Sequence, residues 1–203
     1  MTFQTVFDNA SSISINRRKK VAQTVSRDGV VRNVSLGGQV WEFEVTLPSG
    51  PSYQTYRPLI EKMEALDRVS TGTVNLSRLN FQWFNKYQGN YLNITGTVVV
   101  SVSTGNTVTV VSGPNLGTGF KFKTGDYIQL GTSGKVYTVV DDVPAASNTI
   151  TLHRPVREST GTYTLVIGHN VNWTVQCVQF PNWSLQERNQ VSWSGPFVFA
   201  EVI

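Results

Sequence analysis

The stretch Phe120–Glu158, FKFKTGDYIQLGTSGKVYTVVDDVPAASNTITLHRPVRE, limits this chain to a narrow set of folds. Thr124-Gly125-Asp126 is turn chemistry, and Tyr127–Leu130 reads as a short strand. Gly131 and Gly134 bracket the next turn, and Lys135–Val140 reads as a second strand. A Pro-bearing loop, Asp141–Asn148, then leads to a third strand, Thr149–Leu152. Strands of about four to six residues closed by Gly, Asp and Pro turns build sandwiches and barrels. No residue here is spaced for catalysis, which points to a part that assembles.

The flanks have another character. Val21–Val34 reads as a hairpin, VAQTVS and VVRNV around Arg27-Asp28-Gly29, because Asp-Gly is a strong turn signal. In QVWEFEVTLP, Trp41, Phe43, Val45 and Leu47 alternate with Glu42, Glu44 and Thr46, giving one dry and one wet face. Tyr56, Leu59, Ile60, Met63 and Leu66 then fall on one helical stripe. That stripe predicts one amphipathic helix over about residues 56–69, with Pro58 in its first turn. Leu76–Trp83 reads as a further strand.

From Gly96 to Ile167 the chain becomes Val-, Thr- and Gly-rich. Val98–Val102 and Thr107–Val111 form a hairpin about Gly105-Asn106, and Tyr163–Ile167 closes the run. The aromatic style returns from Asn172, in VNWTVQCVQF and VSWSGPFVFAEVI. This shift predicts a mainly β protein in which a split β-barrel or sandwich, residues 1–94 plus 169–203, carries the helix. A small β-barrel-like module at 95–168 is inserted into it. The last strand, with Phe197 and Phe199, is expected to pair with the strand carrying Trp41 and Phe43.

Charged residues make up only 15% of the 203, against about a quarter in ordinary domains. The net charge is +4 and the pI about 9.3, and much of the excess sits in Arg17-Arg18-Lys19-Lys20, followed by Arg27 and Arg32. Such a run suits a solvated loop or a charged contact with a neighbouring subunit. No aromatic residue interleaves it, which argues against a nucleic-acid groove. Cys177, the single cysteine, continues the alternation Val171, Trp173, Val175 and reads as a buried structural thiol. No signal-peptide pattern and no bilayer-length apolar run are present, so synthesis in a cytosol and no membrane partner are expected.

His153 and His169 are isolated from each other and from any acid cluster, and read as structural or surface histidines. Asp141 and Asp142 are neighbours and face apart, a poor acid/base pair. Asp126, Asp141 and Asp142 lack calcium-loop spacing, and the glycines of Gly113–Gly119 are followed by strands where a phosphate cradle needs a helix. No enzyme activity, cofactor or metal is therefore expected. Trp41, Trp173 and Trp193 read as core, and Trp183, in the Pro181-Asn182-Trp183-Ser184 loop, is the one tryptophan placed to stack on sugar.

Gln39–Pro48, QVWEFEVTLP, followed by LIEKMEALDRV, resembles the opening of small tail proteins of tailed bacteriophages. FKTGDYIQL, KVYTVVDDV and ITLHRPVR resemble the module inserted in those proteins, and VSWSGPFVFAEVI fits their C-terminal strand. Together the matching pieces cover most of residues 39–68 and 120–203. The resemblance implies a virion structural protein of the distal tail or baseplate hub, made in the bacterial host cytoplasm. Such proteins self-associate in rings, commonly hexamers, that join the tail tube to hub and fibre proteins. Arg17, Arg18, Lys19 and Lys20 have no counterpart in that pattern. The alternative is a carbohydrate- or receptor-binding module of a tail fibre or spike, using Trp183.

Overall fold

The computed structural model describes residues 2–18, 21–35, 38–66, 69–77, 81–90, 97–113 and 118–202. A short helix, α1 (Thr2–Asp8), is followed by β1 (Ser12–Asn16), β2 (Val21–Val25), β3 (Val31–Ser35) and β4 (Glu42–Thr46). The main helix, α2 (Tyr53–Glu64), leads to β5 (Thr71–Val74). Short strands follow: β6 (Val99–Val102), β7 (Thr107–Ser112), β8 (Phe120–Phe122), β9 (Tyr127–Leu130), β10 (Val136–Thr138), β11 (Val143–Pro144) and β12 (Thr149–Thr151). The chain ends through β13 (Gly161–Ile167), β14 (Trp173–Gln179), β15 (Trp183–Gln186), β16 (Gln190–Trp193) and β17 (Phe197–Glu201). The protein is mainly β with one main helix, as expected. It divides into two compact units, Met1–Asp8 with Thr71–Val175, and Asn9–Ser70 with Gln176–Val202.

In the first unit, six antiparallel strands run in the order β10-β9-β13-β6-β7-β12. The turns are those the glycines predict, with Gly105, Gly125, Gly131 and Gly134 at φ 115, 94, 58 and 72°. The two edges of this sheet meet. Val140 N–H donates to Thr151 O at 2.9 Å and His153 N–H to Thr138 O at 3.0 Å, so the sheet closes on itself and loses its edges. Inside lie Val100, Val102, Phe122, Ile128, Leu165 and their neighbours, all buried. Burying each such side chain contributes about 1.5–3 kcal/mol.

The expected module boundary near residue 94 falls outside the described residues, and the segment before it is already tied to the barrel. Gln88 N–H donates to Asp126 Oδ1 at 2.8 Å, Asn90 N–H to Phe120 O at 3.0 Å, and Tyr87 packs on Phe122. Leu76–Trp83 is not a strand where it is described: Leu76 and Ser77 are irregular, and Phe81–Asn85 is a turn closed by Phe84 N–H to Phe81 O at 3.0 Å. Residues 78–80 of that expected strand lie outside the described ones. The helix α1 has no place in the sequence reading. It buries Phe3, Val6 and Phe7, and Phe3 lies so close to Gly72 of β5 that a Cβ there would stand 2.5 Å from its ring. Asn75 joins these parts: its backbone exchanges two hydrogen bonds with the Gln4 amide, and its own amide donates to His169 O and Val171 O at 2.9 and 2.8 Å.

In the second unit, β4 lies between β1 and β17, both antiparallel to it. Phe199 faces Phe43 and Phe197 faces Val45, so the two aromatic strands pair as expected. Trp41, Phe43, Val45, Phe197 and Phe199 are buried, and Glu44 on the opposite face is exposed. The helix α2 buries Tyr56, Leu59, Ile60 and Met63, with Tyr56 edge-on to Trp193 at 5.6 Å. Ser52 caps it, accepting from Thr55 N–H, so the helix begins three residues earlier than its apolar stripe. Pro58 consequently sits in the second turn, not the first, and leaves the Gln54 carbonyl without its helical donor.

Candidate functional site

The hairpin of β2 and β3 presents a group of exposed valines. Its turn follows from local chemistry. Gly29, at φ 74°, supplies the left-handed position, Gly29 N–H donates to Ser26 O, and the Ser26 hydroxyl accepts from Val30 N–H at 3.2 Å. The register pairs Ala22 with Val34, Thr24 with Arg32, Gln23 with Asn33 and Val25 with Val31. Polar and apolar pairs thus alternate on both faces, and neither face is dry enough to cover a core. The two strands form a sheet of their own. Val25, Val30, Val31 and Val34 are 66, 54, 49 and 61% exposed, beside the cations of Arg27 and Arg32. A lone two-stranded hairpin is marginal in water.

Just before it stands the basic run. The Arg17 guanidinium lies 5.2 Å from the centre of the buried Trp41 ring, which makes it a framework contact. Arg18 is exposed, and its N–H donates to Asn16 Oδ1 at 3.1 Å. Lys19 and Lys20 lie outside the described residues.

Trp183 opens β15 and is not in a loop. It is half-buried, stacks on Tyr53 at 5.9 Å, and its indole N–H donates to Glu64 Oε1 at 2.9 Å. At the far end of the same hairpin Asn189 Nδ2 donates to Gln54 Oε1, and Ser52 bridges Gln190. Trp183 therefore pins β15 and β16 to α2. Of the tryptophans read as core, Trp41 and Trp173 are buried and Trp193 is half-buried.

The titratable groups singled out in the sequence are absorbed by the framework. Thr138 N–H donates to His153 Nδ1 at 3.0 Å, which places the ring proton on Nε2, and His169 Nδ1 lies 3.3 Å from Asn85 Oδ1. Asp126 is buried and accepts from Lys123 N–H and Gln88 N–H. Burial pushes its carboxyl up, and those two donors pull against the rise. Asp142 accepts from the N–H and hydroxyl of Thr124, which hold its carboxyl below the usual range. Among the described residues no three His, Cys, Asp or Glu gather as a metal site would require. Cys177 is half-buried where the alternation predicted burial, because β14 loses its cover after Val175; its thiol donates to Gln179 O at 3.4 Å. Residues 114–117 of the glycine-rich loop lie outside the described ones. No helix among the described residues is long and apolar enough to cross a membrane.

Compared by sequence with protein families and with curated proteins, the chain shows no significant match to any.

Proposed function

We propose that this protein is a structural component of a tailed-phage virion, at the tail tip or baseplate, made in the host cytoplasm. Copies close into a ring, a hexamer by the resemblance of its strands, that joins the tail tube to the hub and fibres. The observation that carries the assembly reading is the β2–β3 hairpin, with exposed valines on both faces, arginines beside them and no further strand paired to it among the described residues. A closed ring needs two different surfaces on each subunit. The arm supplies one. The open edge of β1, whose backbone can extend the β1-β4-β17 sheet into a neighbour, supports the other. Neither surface needs a reactive group. Trp183, held by Tyr53 and Glu64, gives the sugar-stacking alternative no support.

Native mass spectrometry over a rising concentration series tests this reading. Discrete closed oligomers are expected, and Val25→Ser, Val31→Ser and Val34→Ser combined return them to monomer with an unchanged circular dichroism spectrum. A chain that stays monomeric throughout, alone and beside the tail-tube and hub proteins encoded with it, overturns the reading.

A further inference from the structure

We propose that an open cleft on the barrel unit binds a saccharide carrying an acidic group. The inference does not rest on the assembly reading. The cleft, about 510 Å³, lies between the turn after β9 and the segment leading into β13. That volume lies in the range of small-ligand sites, about 300–1,000 Å³.

Its walls are held in place before any ligand arrives. On one side Gly131, at φ 58°, turns the chain and donates its N–H to Thr164 O at 2.9 Å; Ser133 Oγ accepts from Lys135 N–H at 3.3 Å. On the other, the Tyr137 ring is wholly buried and its hydroxyl works in two directions. It accepts from Arg157 N–H at 3.0 Å and donates to Glu158 Oε2 at 2.6 Å, fixing both residues at the rim. Tyr163 O–H reaches Ser159 O at 3.0 Å and so anchors the next residue of the same wall.

The chemistry offered is mixed. Lys135 and Arg157 bring two cations, and neither side chain is engaged by any described residue. Hydroxyls of Thr132, Ser133 and Ser159 line the same space. Glu158 lines the same space, and its Oε2 accepts from the Tyr137 hydroxyl. Two cations beside hydroxyls and one carboxylate suit a polyol with one oxyanion, a carboxylate or a phosphate, directed at Lys135 and Arg157. A nucleic-acid strand fits less well. Tyr163 is the one aromatic ring in the lining, where successive bases need several.

Isothermal titration of the full chain tests the site with four probes: a galacturonate tetrasaccharide, a hexose 6-phosphate, neutral maltotetraose and an oligothymidylate. At least one of the two acidic sugars is expected to bind about tenfold or more tighter than maltotetraose, and which one it is distinguishes carboxylate from phosphate. Lys135→Ala with Arg157→Ala is expected to remove that preference at an unchanged unfolding midpoint, since neither side chain supports the fold. The proposal is overturned if neither acidic sugar binds, if maltotetraose binds equally well, or if the double substitution leaves binding intact. A tighter response to oligothymidylate also overturns it.

Discussion

Two hairpins in this chain are written in nearly the same language and end in opposite surroundings. Both are rich in Val and Thr or Ser, and both turn on a glycine at positive φ, Gly29 at 74° and Gly105 at 115°. In β6 and β7, Val100, Val102, Val108 and Val110 are 0, 1, 1 and 9% exposed. In β2 and β3, Val25, Val31 and Val34 are 66, 49 and 61% exposed. The difference lies in the order of residues along each strand. β7 alternates strictly, with Val108 and Val110 inward and Thr107 and Thr109 outward, so one whole face can be dried. β2 and β3 divide their valines between two faces, and no single layer can cover both. Turn chemistry makes a hairpin; the period of its apolar residues decides whether the same chain can bury it.

The comparison can be broken at its strongest point by Val100→Asp and Val34→Asp. The first puts a charge into the closed barrel and is expected to cost about 4 kcal/mol or more, enough to prevent folding. The second is expected to leave the urea unfolding curve in place. Equal losses at the two sites would mean that the β2–β3 arm is covered within the chain.

The glycines give a smaller and sharper contrast. Gly105→Ala forces a left-handed residue into the barrel and is expected to lower global stability by about 1–2 kcal/mol. Gly29→Ala carries a similar local cost, but a hairpin paired only with itself is expected to open without the rest of the chain. Its effect is expected as faster amide exchange across β2 and β3 with an unmoved global midpoint.

A weaker effect distinguishes the barrel by pH. Burial raises the Asp126 carboxyl, so the folded state holds that proton more tightly than the unfolded chain does. The stability it contributes is full below the unfolded value, about pH 4, and is lost as pH rises through the higher folded value. Asp126→Asn is therefore expected to flatten that part of the stability profile, measured by urea unfolding at stepped pH. A slope unchanged in the variant would assign it to other groups.

Smallest of all, Val34→Ser is expected to change the stability of the isolated chain by no more than about 0.5 kcal/mol. On the proposed assembly reading, native mass spectrometry is expected to register weaker association for this variant.

Much of this was legible in the residues. The Asp-Gly and Gly-Asn turns, the alternation through Trp41–Leu47 and the stripe of Tyr56, Leu59, Ile60 and Met63 located their elements, because local sterics and periodicity act over a few neighbours. The limits of these elements were harder to read. Ser52 starts α2 ahead of its apolar stripe, and Phe81–Asn85 turns although its aromatic spacing suits a strand. The helix α1 was missed because seven residues carry little helical signal, and its burial depends on Gly72 and Asn75 far along the chain. The candidate arm was visible as a hairpin from its Asp-Gly turn, and the exposure of its valines came from the structure.

The sequence by itself determined a mainly β chain, the turns that cut it into short strands, and the alternating strand that carries Trp41 and Phe43. It could do so because each depends on dihedral preference or on a period of two. Only the tertiary structure decided that the β10 and β12 edges meet, that Trp183 is spent on Tyr53 and Glu64, and that Tyr137 anchors Arg157 and Glu158 at a cleft. Those outcomes join residues distant in the chain, and their free energy comes from closure and burial that no local pattern encodes.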